Sequence, residues 1–401
     1  MTIAKGTAKQ VGYKKESSFG VLAGSSAGKL LRRVTASFNL TKDTYQSGEI
    51  RTDRQIADYR HGVRKAEGTL AGELSPASYA DFMAAIVARE FTAGVTATES
   101  IEVDTNGSAY VLIRSAGDFT ADGFQAGQVV RLSGAGLSTG NVNVNLLVTS
   151  VSETMLDVTV VNGADLTAEG PIADTTVAVV GKTTFVPTSG HTDNSYTVEE
   201  WYSDIAQSEV YTGMKVNSVA VKLPATGLST IDVGFAGKDM AQSGTSQYFS
   251  SPAAQGNNGI FAAVNGVMLV NGAPVALVTT ADFTIARATE NATAVGSNSI
   301  ADIFTGRITV TGNLSVYFQD AAFRTMFDDE TPVSIVLVLT SDSSNDSDFV
   351  TFTLPKVKLG SFTKNDGELG VVAATSFQAL LNDVTTDGLP ATTIAIQDSA
   401  A

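Results

Sequence analysis

A stretch near residue 60 recurs near residue 304, and this recurrence limits the folds open to the chain. Ile56-Ala-Asp58, Gly62, Gly68 and Leu70 return as Ile300-Ala-Asp302, Gly306, Gly312 and Leu314, 244 residues later and without a gap. The apolar positions agree beyond it. Leu74, Tyr79, Phe82 and Met83 answer to Phe318, Phe323, Met326 and Phe327. Solenoid rungs and propeller blades repeat every ~20–50 residues, so this period belongs to a duplicated domain. Duplicated domains suit ring assemblies, in which one chain fills two neighbouring places.

Local patterns point to β structure. From Val63 to Leu74, and again from Ile308 to Phe318, apolar and polar residues alternate, as in a long strand with one buried and one wet face. An amphipathic helix follows each strand. Ser75-Pro76 supplies a cap and first turn for the stripe Tyr79, Phe82, Met83, Ile86 and Val87, and Asp320 caps the shorter stripe Phe323, Met326 and Phe327. Val333–Leu339 is apolar on both faces, as a central strand is. The switch of apolar parity across Pro355 predicts a bulge. Ser195–Tyr202, Val216–Leu223 and Thr230–Phe235 are matched to Phe349–Leu354, Lys356–Leu359 and Val371–Phe377.

Three units follow: a first module made of 1–94 and 188–248, a second of 249–401, and an inserted β domain at 95–187. The insertion has short strands at Ser108–Ile113, Gln128–Leu132, Leu146–Val151, Met155–Val160 and Thr176–Val180, with turn signals at Asn106-Gly107 and Asp122-Gly123. Residues 249–260 read as a linker. With 37 glycines and 17% charged residues, the chain reads as mainly β with short flanking helices.

Chemistry is sparse. The chain has no cysteine and two histidines, His61 and His191, in loop-like contexts. Gly181-Lys182-Thr183 lacks the upstream glycine of a phosphate loop, and Gly24–Lys29 has the wrong spacing. Asp342–Asp348 offers hard oxygen donors for a cation but lacks the central glycine and closing glutamate of a calcium loop. Glu199 and Glu200 point to opposite faces of a strand and cannot act as an acid/base pair. We therefore expect no enzyme, no cofactor and no metal. The start lacks a signal-peptide pattern and no stretch approaches a membrane span, so a soluble protein made and used in a cytoplasm, with no membrane anchor, is expected. Residues 1–95 carry 14 Lys+Arg against 9 Asp+Glu, whereas the remainder carries 12 against 32. Overall acidity argues against tight binding to a phosphate backbone.

The order of elements resembles the tail tube proteins of long-tailed, siphovirus-like bacteriophages, of the type with a duplicated module. The resemblance covers 1–94 and 188–401. It rests on the long polar loop Asp43–Arg60, Gly62 and Gly68 within a long strand, and Leu74-Ser-Pro-x-x-Tyr-x-x-Phe-Met83. Phe352-x-Leu-Pro-Lys-Val-Lys358, the Asn365-Asp-Gly turn and Thr375-Ser-Phe-Gln-Ala-Leu-Leu381 complete it. It implies two tandem β-sandwich modules and trimeric, pseudo-hexameric rings stacked into a tube that conducts DNA without binding it specifically. It also implies tape-measure, tail-terminator and tail-tip proteins as partners, and the loops Thr41–Arg60 and Ala286–Phe304 as reaching towards the adjacent ring. Arg51, Arg54, Arg60, Arg64 and Lys65 are the candidate inter-ring contacts. The alternative is an exported surface-array protein or adhesin of Ig-like domains.

Overall fold

The computed structural model describes residues 3–106, 109–163, 165–275, 278–319, 321–365, 368, 370–384 and 388–401. β1 (Lys9–Lys15) and the short β2 (Lys29–Leu30) precede a long hairpin of β3 (Thr35–Gln46) and β4 (Tyr59–Glu73). Alternation shapes β4: Ala66, Gly68, Leu70 and Gly72 are buried, while Lys65, Glu67, Thr69 and Glu73 turn outward. The strands run into the segments expected as loops, leaving only 47–58 between them. α1 (Ala80–Val87) follows, with Phe82 to Val87 all buried. It begins later than the Ser75-Pro76 pair suggests, because Ala77 takes a left-handed φ of 60° and its N–H donates to Asp398 at 2.8 Å. Ser75 instead donates to the Ser78 hydroxyl.

After β5 (Thr92–Ala93) come β6 (Thr96–Asn106), β7 (Ala109–Arg114), the short helix α2 (Phe119–Asp122), β8 (Val129–Ser133), β9 (Leu146–Val151), β10 (Met155–Val160) and β11 (Glu169–Val179). These six strands close into a barrel in the order β10-β7-β6-β11-β8-β9 around Ile101, Leu112, Val130, Leu146, Leu156 and Val177. α2 was not expected; Asp118 caps it by accepting from the N–H groups of Thr120 and Ala121. β12 (Lys182–Phe185) already lies outside the barrel, paired with β5.

The first half resumes with β13 (Tyr196–Tyr202), β14 (Gln207–Pro224), β15 (Thr230–Gly237) and β16 (Asp239–Gly244). The second half comprises β17 (Gly266–Val270), β18 (Ala273–Pro274), the hairpin β19 (Val278–Ala292) and β20 (Asp302–Tyr317), and α3 (Ala322–Asp328). It ends with β21 (Val333–Thr340), β22 (Phe349–Leu359), β23 (Thr363–Lys364), β24 (Val372–Ala379) and β25 (Ala395–Asp398). Asp320, Gly107, Ser108, Asp366 and Gly367, which carry the expected helix cap, strand start and turns, lie outside the described residues.

Both halves follow one pairing scheme. β4 pairs with β3 and β15, and β20 with β19 and β24. Gly68 thereby sits between Phe38 and Phe235, and Gly312 between Phe283 and Phe377. β1 pairs with β13 as β17 pairs with β21, so β13 is the counterpart of β21. This corrects the match of Ser195–Tyr202 to Phe349–Leu354; short apolar strands look alike in sequence, and only the ladder distinguishes them. Long strands β14 and β22 each cross between two layers at a bulge. Tyr196 faces Met214 but Val198 faces Tyr211, and Val333 faces Val357 but Ile335 faces Leu354. The extra residues fall at Thr212-Gly213, where Gly213 has φ 66°, and at Pro355-Lys356, where the parity switch predicts one.

Each half thus has an inner sheet built on its hairpin and an outer sheet containing β13 or β21, with apolar side chains between them. Each large side chain fully buried there contributes about 1.5–3 kcal/mol. β21 is apolar on both faces for two reasons. Ile335, Leu337 and Leu339 face this core, whereas Val336 and Val338 join Leu269 and Phe349 in a patch covered by Val129 and Leu147 of the barrel. The barrel therefore sits on the far side of the outer sheet. Asn162 donates to the carbonyls of Asp342 and Ser344, Arg131 to those of Asp346 and Ser347, and Gln397 to those of Val129 and Val180.

Candidate functional site: a polar sheet face and its two edges

The two inner sheets are joined inside the chain. β14, past its bulge, pairs with β19 from Ser218 opposite Ala286 to Pro224 opposite Thr280. One sheet surface therefore runs β3-β4-β15-β14-β19-β20-β24 and on to the end of β22 and β23. Alternation buries one face of every strand and leaves the other to solvent. That outer-facing row holds Ser37, Asn39, Glu67, Thr69, Thr311, Asn313 and Gln378 among its exposed members. Its charges are mixed and mostly compensated: Lys222 pairs with Asp232 at 2.7 Å, and Lys65 lies 3.5 Å from Glu67. The face is concave, with an open hollow of about 700 Å³ lined by Ser37, Asn39, Thr69, Asn217 and Gly234.

A buried lysine locks the two halves. Lys215 Nζ lies 2.6 Å from Asp193 and 3.1 Å from Asp302, donates to the Ile303 carbonyl at 2.8 Å, and sits over the Phe19 ring. Arg287 of β19 approaches Asp193 at 3.8 Å. The tip of the second hairpin reaches back as well, with the Arg64 N–H donating to the Asn298 carbonyl. Ile300 and Ile303 are fully buried by these contacts.

The first hairpin has no such cover. Ile56 is 65% and Tyr59 56% exposed, although they align with Ile300 and Ile303. Of the five basic candidates, Arg51 pairs with Asp53, Arg60 with Asp58, Arg64 with Asp239, and Lys65 with Asp43 as well as Glu67. Arg54 has no carboxylate partner among the described residues. The repeat-defining residues divide by environment. Leu70, Leu314, Gly68 and Gly312 lie in buried sheet positions, whereas Gly306 is exposed at the hairpin's wet end and Gly62 is half-buried against Tyr45.

The remaining candidates are structural. Glu200 accepts from Lys9, the Phe38 N–H and Tyr202, and Glu199 from Ser208 and the N–H groups of Tyr248 and Phe249. Glu16, unremarkable in sequence, is buried and accepts from Ser195, Thr197, Thr212 and two backbone N–H groups. Among the described residues no acidic or histidine cluster is arranged to hold a metal ion. The barrel holds the loop Asp342–Asp348 through its carbonyls, while Asp342, Asp346 and Asp348 stay exposed. His61 is exposed beside Tyr59. Sequence reasoning missed Lys215, Asp193 and Arg287. Asp302 was in view as part of the repeat, but only the ladders show which residues of the second copy answer to Lys215 and Asp193.

No helix among the described residues is long and apolar enough to cross a membrane. No curated protein matches the sequence. The family described as phage tail tube protein matches residues 6–379, nearly the whole chain and both hairpins. A mainly β chain with a continuous polar sheet face and this family match belongs to the phage tail tube proteins, structural components of the virion tail.

Proposed function

We propose that three chains close into a ring and that stacked rings form a conduit for DNA. The observation that carries this is the β14–β19 ladder, in which the hairpin of one half extends the inner sheet of the other. Repeating that contact between chains joins six similar four-stranded units into one barrel. Closure removes the sheet edges at β3 and β23 that would otherwise invite aggregation. The polar, concave face becomes the wall of the bore. Its carboxylates Glu67, Glu73, Asp232 and Asp282 offset Lys65, Lys222 and Lys358, so a phosphate backbone meets no net positive wall to hold it.

The division into modules 1–94 with 188–248 and 249–401, and an accessory unit within 95–187, is part of this reading. Barrel contacts on the outer layer support an exterior position for the accessory unit. The hairpin tips, with Ile50 and Val295 fully exposed and Arg51 and Arg54 beside them, are assigned to contacts with the next ring. Arg60, Arg64 and Lys65 are farther from the tip and already paired. Head-to-tail stacking does not close on itself, so tape-measure and terminator proteins must set the length, with a tail-tip complex at one end. Assembly takes place in the host cytoplasm. Native mass spectrometry with negative-stain microscopy tests the ring: trimers, or multiples of three, with a central hole are expected. Monomers or six-chain rings would refute it.

A further inference from the structure

The seam inside the chain has an unfilled twin at the chain's edges. Gly68 and Gly312 set the correspondence of β4 with β20, and their partners Phe38, Phe283, Phe235 and Phe377 carry it to β3, β19, β15 and β24. Through β15 and β24, Lys215, opposite Ala236, corresponds to Lys358, opposite Gln378. Through the ladders to β14 and β22, Asp193 corresponds to Glu330. Along the hairpins, Arg287 opposite Ile308 corresponds to Lys42 opposite Arg64, and Asp302 to Asp58. All four positions keep their sign of charge in both copies.

In the first set every contact is made: Lys215 with Asp193 and Asp302, and Arg287 with Asp193. In the second set only the contact within one half exists, Lys358 with Glu330 at 3.3 Å. Lys358 is about half exposed, Glu330 and Lys42 are exposed, and Asp58 is turned to Arg60 on the surface. The apolar residues tell the same story, since Ile300 and Ile303 are fully buried while Ile56 and Tyr59 are exposed.

We infer that these surfaces meet between two copies of this chain. Asp58 of one copy reaches Lys358 of the next, Lys42 reaches Glu330, and Ile56 and Tyr59 become buried there. The ladder Ser218–Lys222 with Ala286–Asp282 transfers to Ser361–Asn365 with Thr41–Ser37, which sets Thr363 opposite Asn39. This rests on the ring reading and adds its register and its ion pairs. It also assigns the base of the first hairpin, from Ile56 onward, to a neighbour in the same ring. Continuity with the formed seam and charge complementarity both select a second copy as the occupant.

The chain has no cysteine, so disulfide trapping is unambiguous. The variant N39C/T363C should oxidise to a ladder of covalent dimers and trimers, while A220C/T284C, the same register inside the chain, should give only cross-linked monomer and show that the fold is retained. K358E and D58K should each lose rings, and the double variant D58K/K358E should recover them. Rings from the wild type without cross-linking of N39C/T363C, or single reversals that assemble normally, would overturn the seam while leaving the ring. A wild type that stays monomeric at all concentrations would overturn both.

Discussion

Gly68 lies opposite Phe38 in the first hairpin, and a Cβ on the glycine would stand 2.1 Å from the ring. At Gly312 a Cβ would meet the Asp282 carbonyl at 2.2 Å and the Phe377 ring at 2.5 Å. These glycines let aromatic rings lie across the strand. Gly68→Ala and Gly312→Ala should each destabilise by about 1–3 kcal/mol through overpacking, with the larger loss at Gly312, where one obstacle is backbone. Denaturant midpoints measure this, and an unchanged midpoint for G312A would contradict the packing.

Lys215 makes an asymmetric prediction. Lys215→Met replaces a buried ammonium with an apolar group of similar length and leaves Asp193 and Asp302, both about half exposed, free to rehydrate. A cost below about 2 kcal/mol is expected. Asp193→Asn combined with Asp302→Asn strands the ammonium and should cost about 3–5 kcal/mol. Equal losses would mean that packing, not charge, governs the joint.

Burial pushes the Asp398 carboxyl up to about 6, against the pull of N–H donors from Ala77 and Ala400. A raised folded-state value means its contribution is fully present below about pH 4, the ordinary carboxylate range, and is lost as pH rises through about 6. The loss is on the order of 3 kcal/mol. Asp398→Asn should flatten that part of the stability profile, at the cost of one of the two N–H bonds from Ala77 and Ala400. A fall of equal size in the variant would assign the effect elsewhere.

Charge reversal at Arg51 and Arg54 should shorten or abolish tubes while single rings persist. Exposed pairs are worth only ~0.2–1 kcal/mol each, but a ring repeats them. Wild-type stacking should therefore weaken with ionic strength as the screening length falls from ~10 Å at 0.1 M towards ~3 Å at 1 M. Tube lengths by microscopy report the outcome. Normal growth of the variant, together with a duplex-DNA mobility shift by the wild type at about 0.15 M salt, would make this a nucleic-acid contact instead.

Replacing residues 96–179 with a short Gly/Ser linker costs little in loop closure. It does uncover Leu269, Val336, Val338 and Phe349, so the variant should fold yet aggregate. Polar substitution at Val336 and Val338 should restore a soluble, assembling protein, read by size-exclusion chromatography. Failure to fold even then would place the barrel within the structural core.

Much of the fold was legible because strand alternation and the repeat are local patterns. The hairpins, the Pro355 bulge and the two-faced strand at Val333 could be read from apolar parity alone. β6 was not, since Glu99, Glu102 and Asp104 dilute its apolar positions Ile101 and Val103, and its burial comes from closing the barrel. The insertion was read as ending at 187, whereas Lys182–Phe185 belongs with β25 of the other half, a pairing no nearby residue announces. Of the candidate site, Asp58 and Asp302 stood out through the repeat. Lys215 did not, because its surroundings come from Phe19, Asp193 and Asp302, which lie far apart along the chain.

The ladder between β14 and β19 has a kinetic consequence. Half the joints of a three-chain ring form when each chain folds, at an effective concentration set by the segment between β16 and β19 and not by the number of copies made. Closure is then a three-body encounter instead of a six-body one, and its onset should follow roughly the third power of protein concentration. The same kind of sheet contact is thus made twice under different control, once by chain connectivity and once by mass action.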